Sequence, residues 1–170
     1  MSQIEKNCKN YTNFQTIGIG TYAKIYKAQN KTTKSYVAIK EIDKEKYKFL
    51  TNETFNKEEI KNTIKSENSI EFKGKIDTKD YCYIIMDLCI INLEDYIKSR
   101  ENEITINEIK EVLNQLNNIF KIMNEKKIIH RNLKPSNILI SLDRLDKCLI
   151  KLSDMVQVNL IIYQIQLQIQ

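Results

Sequence analysis

His130-Arg131-Asn132-Leu133-Lys134-Pro135-Ser136-Asn137 holds the only histidine and the only proline of a 170-residue chain. Ile128 and Ile129 lead into it and Ile138-Leu139-Ile140 lead out, so a polar loop stands between two short apolar runs. A lone histidine behind two isoleucines is more often a packed structural residue than a base, and His130 is read that way. A further apolar run, Leu149 to Leu152, follows, and Asp154 comes two residues after it.

Toward the N-terminus the pattern reads as strands. Phe14 to Ile19, Tyr22 to Ala28 and Tyr36 to Ile42 are short runs with β-branched or aromatic residues, separated by Gly18 to Gly20 and by the polar stretch Gln29 to Ser35. Three such strands with tight connections predict an antiparallel meander. Within it, Ile17-Gly18-Ile19-Gly20-Thr21-Tyr22-Ala23-Lys24-Ile25 forms a glycine hairpin, whose backbone can approach an anion closely. Val37-Ala38-Ile39-Lys40 ends in an ammonium that could reach phosphates under that hairpin. Each feature alone has an ordinary reading, a tight turn and a solvated edge lysine; the pair at this spacing is far more specific.

The intervening chain predicts a loose helix over Glu53 to Ser66, strands at Ile70 to Phe72 and Tyr81 to Leu88, and a short helix near Asn92 to Ile97. The clearest helix runs from Ile106 to about Asn124. Ile109, Val112, Leu113, Leu116, Ile119, Phe120 and Met123 recur at the spacing of one helical face. Thr105 followed by Glu108 is a capping-box pattern. From Val158 to Gln170 apolar residues alternate with glutamine, which suggests a half-buried or unpaired strand.

Composition narrows the classes further. Three glycines and one proline exclude collagenous and linker-rich architectures. The four cysteines, Cys8, Cys82, Cys89 and Cys148, form no C-x-x-C pair, so neither a zinc site nor a disulfide framework is expected, and reduced thiols in a cytoplasmic setting are. The polar opening Met1 to Asn10 carries no signal-peptide core, and the longest apolar stretch, Tyr83 to Ile91, is interrupted by Asp87; no membrane partner is expected. The net charge of +5 comes from lysines spread among acidic neighbours, with only three arginines. A solvated surface accounts for them better than a nucleic-acid footprint, and no nucleic-acid partner is expected.

Taken in order, the glycine hairpin, Val37-Ala38-Ile39-Lys40, the helix, the two strands, the loop from His130 to Asn137 and Asp154-Met155-Val156 resemble the eukaryotic protein kinase family over about residues 14 to 156. Lys134-Pro135-Ser136-Asn137 resembles the serine/threonine branch. The resemblance implies an α+β kinase-like fold with a complete small lobe, an antiparallel sheet plus one helix, at 14–88. A partial, helical large lobe follows at 89–156, with an N-terminal extension at 1–13 and the Gln/Ile tail at 157–170. It implies binding of ATP and Mg²⁺. Gly18 and Gly20 would cover the phosphates, and Ile17, Ile25 and Ala38 would wall the adenine. Ala23 stands in the place of a third glycine, and Lys40 would hold the α- and β-phosphates. The helix partner implied for Lys40 is Glu59, with Glu58 beside it as the alternative. Met86 would be the gatekeeper, Asp87 to Cys89 the hinge, Asn137 and Asp154 the Mg²⁺ ligands, and Lys134 a neutraliser of the transferred group's charge.

Three departures bear on activity. Asn132 replaces the family's aspartate base, which removes a contribution on the order of 10²–10⁴-fold. Met155 and Val156 replace Phe and Gly; Met fills an apolar slot, whereas Val stiffens a hinge that Gly leaves free. Only fourteen residues follow Val156, so the helix from Ile106 would lack partners unless the tail or another protein covers it. The expectation is an ATP-binding domain with impaired phosphotransfer that acts as a scaffold or regulator. Two alternatives stand beside it, an active serine/threonine kinase and a truncated product without a role of its own.

Overall fold

The computed structural model describes residues 2–21, 23–51, 66–100, 103–126, 128, 130, 132–143, 145 and 147–153. They divide into two compact units, one formed by 1–56 with 71–88 and the other by 57–70 with 89–170.

The first unit is an antiparallel sheet of β1 (Tyr11–Ile19), β2 (Ala23–Asn30), β3 (Tyr36–Asp43), β4 (Phe72–Asp77) and β5 (Tyr81–Asp87), in the order β1-β2-β3-β5-β4. The expected meander is there. It begins at Tyr11 rather than Phe14, because Asn13 takes a left-handed backbone at φ 56° and the irregularity lets Tyr11 and Thr12 pair with Asn30 and Gln29. Asn accepts that conformation more readily than most side chains, and its amide also donates to Gln29. The expected strand at Ile70 to Phe72 is instead β4, running on from Phe72, while Ile70 donates its N–H to Leu152 in the second unit. Gly74 and alternating lysines obscure β4 in the sequence.

Two helices attach to this sheet. Residues 1–13, expected as an extension, include α1 (Gln3–Asn7), closed at its start by a capping box between Ser2 and Glu5. Its Ile4 and the following Cys8 are buried with Ala28, Val37, Ile39, Tyr83 and Ile85 on one face of the sheet. Directly after β3, α2 (Lys44–Thr51) buries Tyr47. The sequence did not suggest α2, since five of its eight residues are Lys, Glu or Thr and only its tertiary contact selects it. The helix expected at Glu53 to Ser66 lies outside the described residues, apart from Ser66.

In the second unit, β6 (Ile91–Asn92), β7 (Ile138–Leu142) and β8 (Cys148–Leu152) form a three-stranded antiparallel sheet in chain order. Asn92 caps α3 (Leu93–Ser99) by accepting from the Asp95 N–H. The long α4 (Ile106–Glu125) starts at the expected capping box, with Thr105 and Glu108 each accepting from the other's backbone. Leu116, Ile119 and Met123 are buried against Ile138, Ile140, Ile150 and Leu152, with Val112 and Phe120 at the margin. The expected apolar face is therefore right for its C-terminal half only. Ile109 and Leu113 are 47% and 59% exposed and lie outside the cluster packed on the small sheet.

Beyond β8, side chains take the place of a further strand. Gln115 of α4 accepts from the Ile150 N–H and donates to the Cys148 carbonyl, and the Asn68 amide donates to the Ile150 carbonyl. Main-chain bonds continue the row, Leu152 N–H to Asn68 and Ile70 N–H to Leu152. No described helix is long and apolar enough to cross a membrane.

Candidate functional site

Strand register decides which first-unit side chains meet. Ile25 lies opposite Lys40 across β2 and β3, and Ala23 opposite Ile42. Across β3 and β5, Lys40 lies opposite Ile84 and Ala38 opposite Met86. Directly opposed residues share a face and residues two apart along a strand return to it, so Ala23, Ile25, Ala38, Lys40 and Met86 occupy one face. The buried cluster beneath α1 occupies the other.

The hairpin brings its glycines to the same region. Gly18 pairs with Ile25, and the Gly20 N–H donates to the Ala23 carbonyl at 2.7 Å, closing the turn. Neither glycine has a positive φ, so no left-handed backbone demands them. A Cβ at Gly20 would stand 3.4 Å from the Ala23 carbonyl oxygen, and one at Gly18 would lie on the Ile25 side chain at 3.6 Å. Both are ordinary van der Waals distances, so packing within the hairpin does not by itself require glycine at either position. Ile17 falls at the irregularity between Thr16 and Gly18 and is 49% exposed.

Asp87 ends β5 with its side chain engaged on the opposite face. Its carboxylate accepts from the Glu71 N–H at 3.3 Å and pairs with Lys73 at 2.9 Å, and Lys73 also binds Glu71. Cys89 follows, half-buried, at the start of the second unit. Glu58 and Glu59 lie outside the described residues.

In the second unit, four residues form one hydrogen-bonded group. The Asn132 N–H approaches His130 Nδ1 at 3.3 Å and the His130 carbonyl at 2.8 Å. An N–H can only donate, so Nδ1 is the acceptor, the imidazole proton sits on Nε2, and Nε2 donates to the Ser153 carbonyl at 2.8 Å. His130 is thus the buried structural brace that its neighbours suggested. Pro135–Asn137 form a 3-10 turn closed by Asn137 N–H to Lys134. The buried Asn137 donates its amide to the Asn132 carbonyl at 2.7 Å, and its own carbonyl accepts both the N–H and the hydroxyl of Ser153. Because the Asn137 amide nitrogen is committed, its side-chain oxygen remains as a hard donor of the kind Mg²⁺ takes. Lys134 is exposed. Asp154, like Arg131, lies outside the described residues.

Ser153 escaped the sequence reading. It belongs to no motif pattern, and only the fold shows its hydroxyl tying β8 to Asn137.

A five-stranded antiparallel sheet with a glycine hairpin and a lysine strand, followed by a helical unit with a histidine-braced loop, defines a protein kinase-like fold. The crystal structure of Rad53 1-466 in complex with AMP-PNP matches it with a TM-score of 0.71 and 25% identity, over 87% of this chain and 38% of that one. The protein kinase domain family matches residues 11–164, and the chain belongs to that family, in its serine/threonine type. Similar proteins include serine/threonine-protein kinase pakG of Dictyostelium discoideum, 31% identical over 140 residues, 81% of this chain and 11% of that protein. Serine/threonine-protein kinase ATG1a of Arabidopsis thaliana is 33% identical over 74% of this chain and 20% of its own length. Serine/threonine-protein kinase ULK3 of Xenopus laevis is 35% identical over 82% and 30%. The chain therefore spans between 11% and 30% of these relatives.

Proposed function

We propose that this kinase domain binds ATP with Mg²⁺ and carries out phosphotransfer poorly, acting as a regulator or scaffold. The observation that carries the reading is the shared face of Ala23, Ile25, Ala38, Lys40 and Met86 beside the glycine hairpin. Ile17, Ile25, Ala38 and Met86 wall the adenine, and the main chain from Asp87 to Cys89 reads its edge. Gly18 and Gly20 cover the phosphates, while Lys40 holds the α- and β-phosphates with Glu59 as its ionic partner. Asn137 and Asp154 hold Mg²⁺, which when bound offsets phosphate charge. Lys134 stabilises charge on the group in transfer.

Asn132 limits the chemistry. Its side-chain amide has no basic oxygen to take a proton from a substrate hydroxyl, so positioning persists without the base. As a regulator, the domain would offer a protein partner the exposed Ile106, Ile109 and Leu113 of α4.

A thermal-shift titration with Mg-ATP tests the binding claim. A rise in melting temperature is expected, absent in Lys40→Met; no rise at millimolar nucleotide would overturn it. Similarity to serine/threonine-protein kinases favours a second reading, an active serine/threonine kinase. Labelled phosphate transfer to protein, lost in Lys40→Met, would select it over the first.

A further inference from the structure

Successive side chains of a strand point to opposite faces, so the residue after Lys40 points away from the candidate nucleotide face. That residue is Glu41, a carboxylate only 9% exposed on the face covered by α1. A buried carboxylate is costly unless it is hydrogen-bonded, and here β2 supplies the hydrogen bond and β5 a phenol directly opposite. Tyr26 of β2 donates its hydroxyl to Glu41 at 3.2 Å, and Tyr83 of β5 stands directly opposite Glu41 across the strand pair, near enough to feel its charge. Glu41 therefore ties β3 to β2 through Tyr26 and packs it against Tyr83 of β5.

The group extends to the N-terminal helix. Asn7, the last residue of α1, donates its side-chain amide to the Tyr83 oxygen at 2.9 Å. An amide N–H can only donate, so the Tyr83 oxygen accepts from Asn7, which fixes the phenol where it faces Glu41 across β3 and β5. Burial first, and then the Glu41 charge, push Tyr26 to about 12. Burial also raises Tyr83 well above its ordinary range, partly offset by Asn7. Both phenols keep their protons at neutral pH and remain donors. Cys8, also raised to about 12 chiefly by burial, packs beside them as a neutral thiol.

We propose that Asn7, Tyr83 and Tyr26 are positioning residues for Lys40, acting through Glu41 to hold β3 in place, so that α1 is part of the nucleotide-binding apparatus. This rests on the reading of Lys40 as a phosphate ligand. The adenine walls do not depend on the lysine ammonium, and this separates positioning from mere stability.

The test compares affinities for Mg-ATP and for adenosine in the full 170-residue chain and in Tyr83→Phe and Asn7→Ala, together with amide exchange at residues 39–41. Tyr83→Phe keeps the buried ring, and Asn7→Ala leaves the sheet core untouched should the first variant fold poorly. The expected result is a loss of Mg-ATP affinity of about threefold or more, unchanged adenosine affinity, and faster exchange at residues 39–41. Equal losses for both ligands, or a lower melting temperature with an unchanged affinity ratio, would overturn the proposal and leave a purely structural group. If the unmodified chain binds neither ligand, the nucleotide reading falls and the positioning role with it. Faster exchange in the variants would then still identify the group as a clamp on β3.

Discussion

Asn132 matches an aspartate in shape and lacks its basicity, and its surroundings in the second unit are those of an ordered loop. Its N–H is held by His130 and its carbonyl by Asn137. Restoring a carboxylate should therefore need no rearrangement. Asn132→Asp is expected to raise phosphotransfer on the order of 10²–10⁴-fold in a labelled-phosphate assay; a rate unchanged from the natural chain would show that the missing base is not what limits the chemistry. Glu108 supplies a second expectation. The Thr105 hydroxyl and N–H, then Tyr96, hold its carboxyl near about 2, below the ordinary 4.5. A value depressed in the folded state contributes stability above pH 4.5 that is lost as pH falls toward about 2. The stability gap between the natural chain and Glu108→Gln should thus be widest at neutral pH and close across that acid window, as followed by urea unfolding. A gap independent of pH would exclude this role. At this scale the sequence was informative where chemistry is local. His130 was read as structural from two preceding isoleucines, and Thr105 with Glu108 from their spacing. Ser153 and Glu41 were invisible because their partners lie far away in the chain.

At the scale of elements, α4 shows how far periodicity reaches. Its spacing defines a continuous apolar stripe, but burial depends on what stands opposite, and the residues buried against β7 and β8 are Leu116, Ile119 and Met123, with Val112 partly covered. Ile119→Ala should cost about 2–5 kcal/mol in equilibrium unfolding, whereas Leu113→Ala should stay within about 0.5 kcal/mol. Similar costs at both positions would mean that the exposed half of the helix is covered in solution. The strands of the meander were legible for a related reason, since β-branched residues and glycine punctuation are local signals. By contrast α2 and β4 are polar, lysine-rich segments selected by their contacts, Tyr47 in one and the pairing with β5 in the other.

For the whole molecule, each unit carries its own buried cluster, one beneath α1 and one beneath α4. The second sheet is small, and a three-stranded sheet offers its outer strand's unpaired N–H and carbonyl groups to any passing chain. Along β8 those groups are already taken: the carbonyl of Cys148 and the N–H of Ile150 by Gln115, the Ile150 carbonyl by Asn68, and both groups of Leu152 by main chain. A glutamine amide has the same donor and acceptor as a peptide bond, so one side chain on a helix imitates the neighbour a strand would otherwise recruit. Its consequence is colloidal rather than catalytic. Gln115→Leu keeps the bulk and removes the imitation, and it should make the protein self-associate with a rise in thioflavin fluorescence and in scattering. If the variant stays as monodisperse as the natural chain, the remaining contacts at Leu152 suffice to keep β8 from acting as a template for growth.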